Sequence, residues 1–122
     1  MIRNFEVGNE TLKFEFTNET IFKIDEKYNN FGLVINGLMY GTNLYNNALK
    51  VMESSCISKR KKKDKSGNYV EYDLTLEELK EKLTPAQIVN ELIPFTQVLY
   101  LEDYRGIKSN DNKLNEEENK KK

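Results

Sequence analysis

The sequence predicts an α-dominated α+β domain: an N-terminal β-hairpin packed on about five helices, followed by a disordered C-terminal tail. Three stretches carry that prediction. Near the start, Phe5 and Val7, then Leu12, Phe14 and Phe16, alternate with polar neighbours on either side of Gly8-Asn9-Glu10. This is the period-two pattern of a hairpin with one apolar face, broken by a turn cluster. Over 75–103 (TLEELKEKLTPAQIVNELIPFTQVLYLED) lie the clearest helical signals and the longest apolar stripe. From Ile107 onward the chain is mostly Asn, Lys and Glu, too polar to bury the surface that ordering requires. The predicted division is one domain over 1–105 and a charged tail over 106–122.

Each element has its own reason. A lone hairpin is marginal in water, so its apolar face must pack on helices. Thr17 or Asn18 caps a first helix, with Ile21, Ile24 and Tyr28 on one side and Lys23, Asp25, Glu26 and Lys27 mostly outside. The next segment, 31–40, is apolar nearly all round. Periodicity does not separate a buried helix from a buried strand there; Gly41-Thr42, read as a stop followed by a new cap, favours helix. Gly37 inside it costs up to ~1 kcal/mol of helix stability, a cost explained if another element approaches closely. Thr42 or Asn43 starts a third helix with a stripe of Leu44, Ala48, Val51, Met52 and Ser55. A solvated loop, SKRKKKDKSGN over 58–68, follows. Tyr69, Val70 and Tyr72 form a short strand or simply lead into the next cap.

Thr75 with Glu78, and Thr84 with Gln87, are spaced as capping boxes. Pro85 then falls at the first helical position, where its missing N–H costs nothing. The stretch reads as a short helix and a long one, broken at Leu83-Thr84. On the long helix Ile88, Leu92, Phe95 and Leu99 follow helical spacing, widened by Val89 and Ile93. Pro94 interrupts it: an interior proline removes an N–H and clashes with the preceding turn. The helix either ends near Ile93 and restarts or kinks, and the in-phase stripe favours the kink.

Composition narrows the function classes. The chain has 122 residues, no His and one Cys. Without His it lacks the commonest general base and metal ligand. Cys56 has no partner for a disulfide, a zinc pair or a Cys/His dyad, and reads as a small apolar residue ending its helix stripe. Phosphate-binding glycine loops and nucleophile elbows are missing. Carboxylate pairs such as Glu77-Glu78 fall on predicted solvated faces. The expectation is a non-enzyme with no cofactor and no metal. No leader-like apolar stretch opens the chain, and no run approaches the ~20 residues that span a bilayer. The expected location is cytoplasmic, with no membrane partner.

Two features suit binding. Residues 59–65 hold six basic side chains and one Asp, a net of +5, so against an overall −1 the remaining residues sum to −6. As a nucleic-acid site, Lys59, Arg60, Lys61, Lys62 and Lys63 would grip phosphates while Tyr69 and Tyr72 stack on bases. As plain structure, the run is a solvated loop, favoured because the acidic remainder repels nucleic acid. The second feature is tyrosine at the stripe edges: Tyr28, Tyr40, Tyr45, Tyr100 and Tyr104. Tyrosine is enriched at interfaces and equally at home at a core rim with its hydroxyl in water. Whether the chain forms a homo-oligomer is left open.

The order of elements resembles the tail assembly chaperones of phages and phage-like tail particles of Gram-positive bacteria. The likeness runs over 5–104: a hairpin (FEVGNETLKFEFT) leading directly into a helix (NETIFKIDEKY), two apolar helices (FGLVINGLMY, TNLYNNALKVMESSC), a TLEEL-type capped helix, a final helix and a charged tail. The basic loop has no counterpart in that pattern. The resemblance implies a non-enzymatic chaperone of virion morphogenesis. It would bind the tape measure protein during tail assembly, cover its apolar helical segments and help recruit tail tube subunits. Tyr40, Tyr45, Phe95, Tyr100 and Tyr104 are then the expected partner-binding residues. The alternative is a small nucleic-acid-binding or regulatory protein of a mobile element, working through the basic loop.

Overall fold

The computed structural model describes residues 1–106. The chain runs β1 (Arg3–Val7), β2 (Glu10–Phe14), α1 (Asn18–Tyr28), α2 (Phe31–Tyr40), α3 (Leu44–Ser55), β3 (Arg60–Lys63), β4 (Tyr69–Tyr72) and α4 (Leu76–Lys82). A last helix, α5 (85–104), joins four segments end to end: α over Pro85–Gln87, π over Ile88–Leu92, α over Ile93–Val98 and π over Leu99–Tyr104. Among the described residues the architecture is α+β and dominated by five helices. The predicted tail, 106–122, lies outside the described residues apart from Gly106.

β1 and β2 pair antiparallel, with Val7 opposite Glu10 across a Gly8-Asn9 turn. Gly8 sits at φ +63, a left-handed conformation that costs glycine nothing. Phe5, Val7, Leu12 and Phe14 all point inward and are buried, as the alternation requires. Their face meets Leu92, Leu99 and the ring of Phe95 from α5 and the stripe Ala48, Val51 and Met52 of α3 in a single cluster. Residues 55–58 run along the outer edge of β2: Glu15 N–H donates to the Ser55 carbonyl at 2.8 Å, and Ile57 N–H to that of Lys13 at 2.9 Å. Among the described residues no such strand lies beside the outer edge of β1; α5 lies along it, and Gln87 Nε2 donates to the Glu6 carbonyl at 2.9 Å.

The segment 31–40 is a helix. Asn30 caps it, its Oδ1 accepting from Leu33 N–H at 3.1 Å, and Gly41 ends it at φ +84. The close approach expected at Gly37 comes from Asn47 of α3, whose Nδ2 crosses over to donate to the Thr42 carbonyl at 2.8 Å. A methyl group at Gly37 would lie 2.0 Å from that nitrogen, so only glycine fits.

Both predicted caps begin helices, with the break at Leu83-Thr84. The Thr84–Gln87 box is complete: each side chain accepts from the other's N–H at 3.1 Å. The Thr75–Glu78 box is half made. Thr75 Oγ1 accepts from Glu78 N–H at 3.1 Å, but the Glu78 carboxylate turns to Arg60 instead of back to its own cap. Glu53 of α3 satisfies a different orphan donor of the same helix start, its Oε2 accepting from the Leu76 N–H at 3.1 Å. Along α5 the chain stays helical through Pro94, with Leu92 and Ile93 in the right-handed helical region. Pro94 has no N–H for the Asn90 carbonyl, and the turn before it winds as π. Val89, expected on the buried stripe, stands at 63% exposure instead.

One expectation needs full correction. The basic run is no solvated loop: 60–63 and 69–72 pair antiparallel, Arg60 opposite Tyr72 through Lys63 opposite Tyr69. Asp64 builds the connecting turn, its Oδ1 accepting from the N–H groups of Ser66 and Asn68, both at 2.9 Å. Gly67 takes the left-handed position at φ +85.

Candidate functional site

The five residues expected to bind a partner divide three ways. Phe95 goes to the hairpin, its ring centroid 4.8 Å from Phe5 and 5.6 Å from Phe14. Tyr100 is buried and not at a rim. It stacks on Tyr104 at 5.3 Å, and Tyr104 in turn meets Phe16 and Phe31 at 5.5 and 5.4 Å. Tyr40, 83% exposed at the end of α2, lies within electrostatic reach of Arg105. Arg105 donates to the Tyr100 hydroxyl at 3.5 Å, and that bond is the chief cause of its raised pKa. Tyr45 stands exposed at the start of α3, and no contact joins it to the others.

Phe95 has a second role. Beside it an open groove of about 520 Å³ runs between α5 and the uncovered edge of β1. Phe5, Pro94, Phe95 and Val98 supply its apolar surface, and Arg3, Asn4, Asn90 and Glu91 its polar rim. A further hollow of about 520 Å³ continues it toward Gly8 and Lys82, sharing Asn4, Phe5 and Glu91. The groove is built by residues some ninety positions apart in sequence. Periodicity shows which side of α5 is apolar, not that β1 stops short of covering it. The one usable sign was Pro94, read as the site of a kink and not as a residue beside an opening.

The five basic residues of the alternative site behave unequally. Arg60 is buried, at 7% exposure. It holds Glu78 in a two-pronged pair, both N–O distances 2.7 Å, reaches Glu10 at 3.1 Å and lies over the Tyr72 ring at 4.3 Å. The geometry suits a planar guanidinium, which can bridge a carboxylate and stack on a ring at once. The same pair raises the Arg60 pKa, and Arg60 with Lys82 holds the Glu78 carboxyl down at about 2. Arg60 therefore fastens the second hairpin to α4 and to β2 and is not free to grip phosphate. Lys59, Lys61, Lys62 and Lys63 are exposed. Lys62 and Lys63 lie over Tyr72 and Tyr69 at 5.0 and 5.5 Å.

Two further groups are chemically distinctive and both serve structure. Tyr28 donates to the Glu53 carboxylate, and burial together with that bond raises its pKa. Lys27 pairs with the same carboxylate at 3.0 Å, so Glu53 ties α1, α3 and the start of α4 together. Cys56 follows α3 and pairs with Phe14 across a single bridge; burial pushes its thiol up, away from the reactive thiolate. Among the described residues no group of three or more His, Cys, Asp or Glu is placed to hold a metal ion. No helix there is long and apolar enough to cross a membrane. No protein-family model, curated protein or solved structure matches the chain.

Proposed function

We propose that the chain is a non-catalytic tail assembly chaperone that seats an apolar helical segment of a tape measure protein in the groove between β1 and α5. The observation that carries this reading is the groove itself. Phe5, Pro94, Phe95 and Val98 present apolar surface along an open channel with a polar rim, the form of site that accepts the apolar face of an amphipathic helix. The order of elements, a hairpin and three helices followed after the second hairpin by two more helices, supports the same reading, because apart from that second hairpin it is the order on which the resemblance rests. Tyr40 and Tyr104 at the far end of the helical layer offer amphipathic rings for tail tube subunits.

The test is co-expression of the full chain with the products of its neighbouring genes, followed by capture and a wash in rising salt; the expected catch is one long helical protein. An apolar seat retains its partner at high salt. Val98→Glu and Asn90→Arg, on the half-buried and exposed sides of the groove, should each reduce capture at least tenfold while circular dichroism shows the domain still folded. Capture unchanged by both substitutions would end the groove reading. Recovery of nucleic acid that washes off steeply with salt would replace it with the basic-hairpin alternative.

A further inference from the structure

The second hairpin leaves a surface that the proposed groove does not use. Side chains alternate between the two faces of a strand, so Lys59, Lys61 and Lys63, all exposed, share the face away from Arg60, Lys62 and Tyr72, and none of the three forms an ion pair among the described residues, whereas Arg3, Lys27, Arg60 and Lys82 all do. On that face stands the uncovered Tyr69, its ring met by Lys63, with Glu71 two residues on. Such a surface calls for an acidic partner with an apolar centre.

That partner surface is present on the same molecule. On α1, Phe22 is 68% exposed. Glu19 precedes it by three residues, and Asp25 and Glu26 follow by three and four, so one helical face gathers an aromatic ring and three carboxylates around it. The two surfaces are neighbours. Glu19 and Lys23 of α1 face Lys59, Glu71 and Tyr72 across one cleft of about 280 Å³. Because they flank a common cleft, a two-fold axis through it would lay each surface of one copy on the opposite surface of another.

We propose that two copies of this chain associate about such an axis, the β3–β4 hairpin of each lying on the α1 face of the other. The contact is self-complementary in the manner of a two-fold dimer, in which each residue pairing occurs twice. A phosphate backbone fits the same lysines less well. Glu19 and Glu71 line the cleft beside Lys59; they repel a polyanion laid across it and attract the lysines of a second copy.

Sedimentation velocity on the full chain tests this with a charge exchange. At low salt the wild type should sediment as a dimer, and raising the salt should weaken association by about tenfold or more, since exposed charges are screened within a few ångströms at high ionic strength. One variant carries Glu19→Lys, Asp25→Lys and Glu26→Lys; the other carries Lys59→Glu, Lys61→Glu and Lys63→Glu. Each alone should be monomeric, because both of its surfaces then bear the same sign. Mixed in equal amounts they should form a heterodimer as tight as the wild type, since every contact is again between opposite charges. Circular dichroism of each variant separates lost association from lost folding, and recovery on mixing requires both to be folded. A monomeric wild type at low salt, or a mixture that stays monomeric, would overturn the proposal, as would a dimer indifferent to both exchanges.

Discussion

In the first hairpin, alternate residues are apolar and buried, and Phe14 has no exposed surface at all. In the second, one strand reads Arg-Lys-Lys-Lys and only Arg60 is buried. Both are antiparallel pairs closed by turns with a left-handed glycine, so local geometry does not distinguish them. What distinguishes them is the force that holds each to the body. The first is held by apolar area, spread over many contacts and insensitive to pH. The second is held at one point by charge, through Arg60 with Glu78 and Glu10 and the Tyr72 ring beneath. A hairpin fixed by a core belongs to the cooperative unit of the domain; one fixed by a single ion-pair cluster can open without unfolding the rest.

The largest expected effect tests the first half of that comparison. Phe14→Ala removes a ring enclosed by Phe95 and the rest of the core and should cost about 3–5 kcal/mol, a large part of the roughly 5–15 kcal/mol available to a domain. Urea unfolding should show the midpoint falling for every probe together. A loss under about 1 kcal/mol, or loss of the first hairpin alone, would show that it is not part of the common core.

The second half is tested by acid. Arg60 and Lys82 hold Glu78 at about 2 against an ordinary value of 4.5. The folded state therefore favours the carboxylate. The resulting stabilisation is fully present above about pH 4.5 and is lost as pH falls toward about 2. Amide resonances of β3 and β4 should change toward those of an opened hairpin across that window while those of β1 and β2 hold. Arg60→Met should leave the second hairpin open at neutral pH and abolish the acid step. Simultaneous change in both hairpins would mean that they open as one unit.

The contrast also decides what could be read from the residues. Apolar alternation revealed the first hairpin because the force that holds it is written as a pattern of side chains along the strand. The helices were legible for the same reason, and their ends through Thr84 with Gln87 and through Gly41. The second hairpin carries no such pattern. Arg60 looks like its neighbours until Glu10 and Glu78, fifty and eighteen residues away, are seen to converge on it. Glu78 misled in the same way: its spacing from Thr75 indicated a capping box, and a stronger partner from another element took the carboxylate. The groove beside Phe95 was hidden for a different reason. It is a place where two elements fail to meet, and periodicity reports what each helix buries and not what its neighbour leaves uncovered.

The smallest effect separates structural cations from surplus ones. Lys63 meets the Tyr69 ring at 5.5 Å on an exposed face, a contact worth about 0.5 kcal/mol there. Replacing it with Ser should leave the thermal midpoint of the domain within about 2 °C of the wild type. Arg60 and Lys63 are three residues apart on one strand with the same formal charge, so their difference must come from what each touches. Arg60 spends its charge on Glu78 and Glu10; Lys63 keeps its charge for solvent or for another molecule. If Lys63→Ser destabilised the fold as strongly as a change at Arg60, the lysines would be internal fasteners and the hairpin would have no charge left to offer a second copy. Near-silence at Lys63, beside a large local loss at Arg60, is what a surface maintained for association rather than for folding requires.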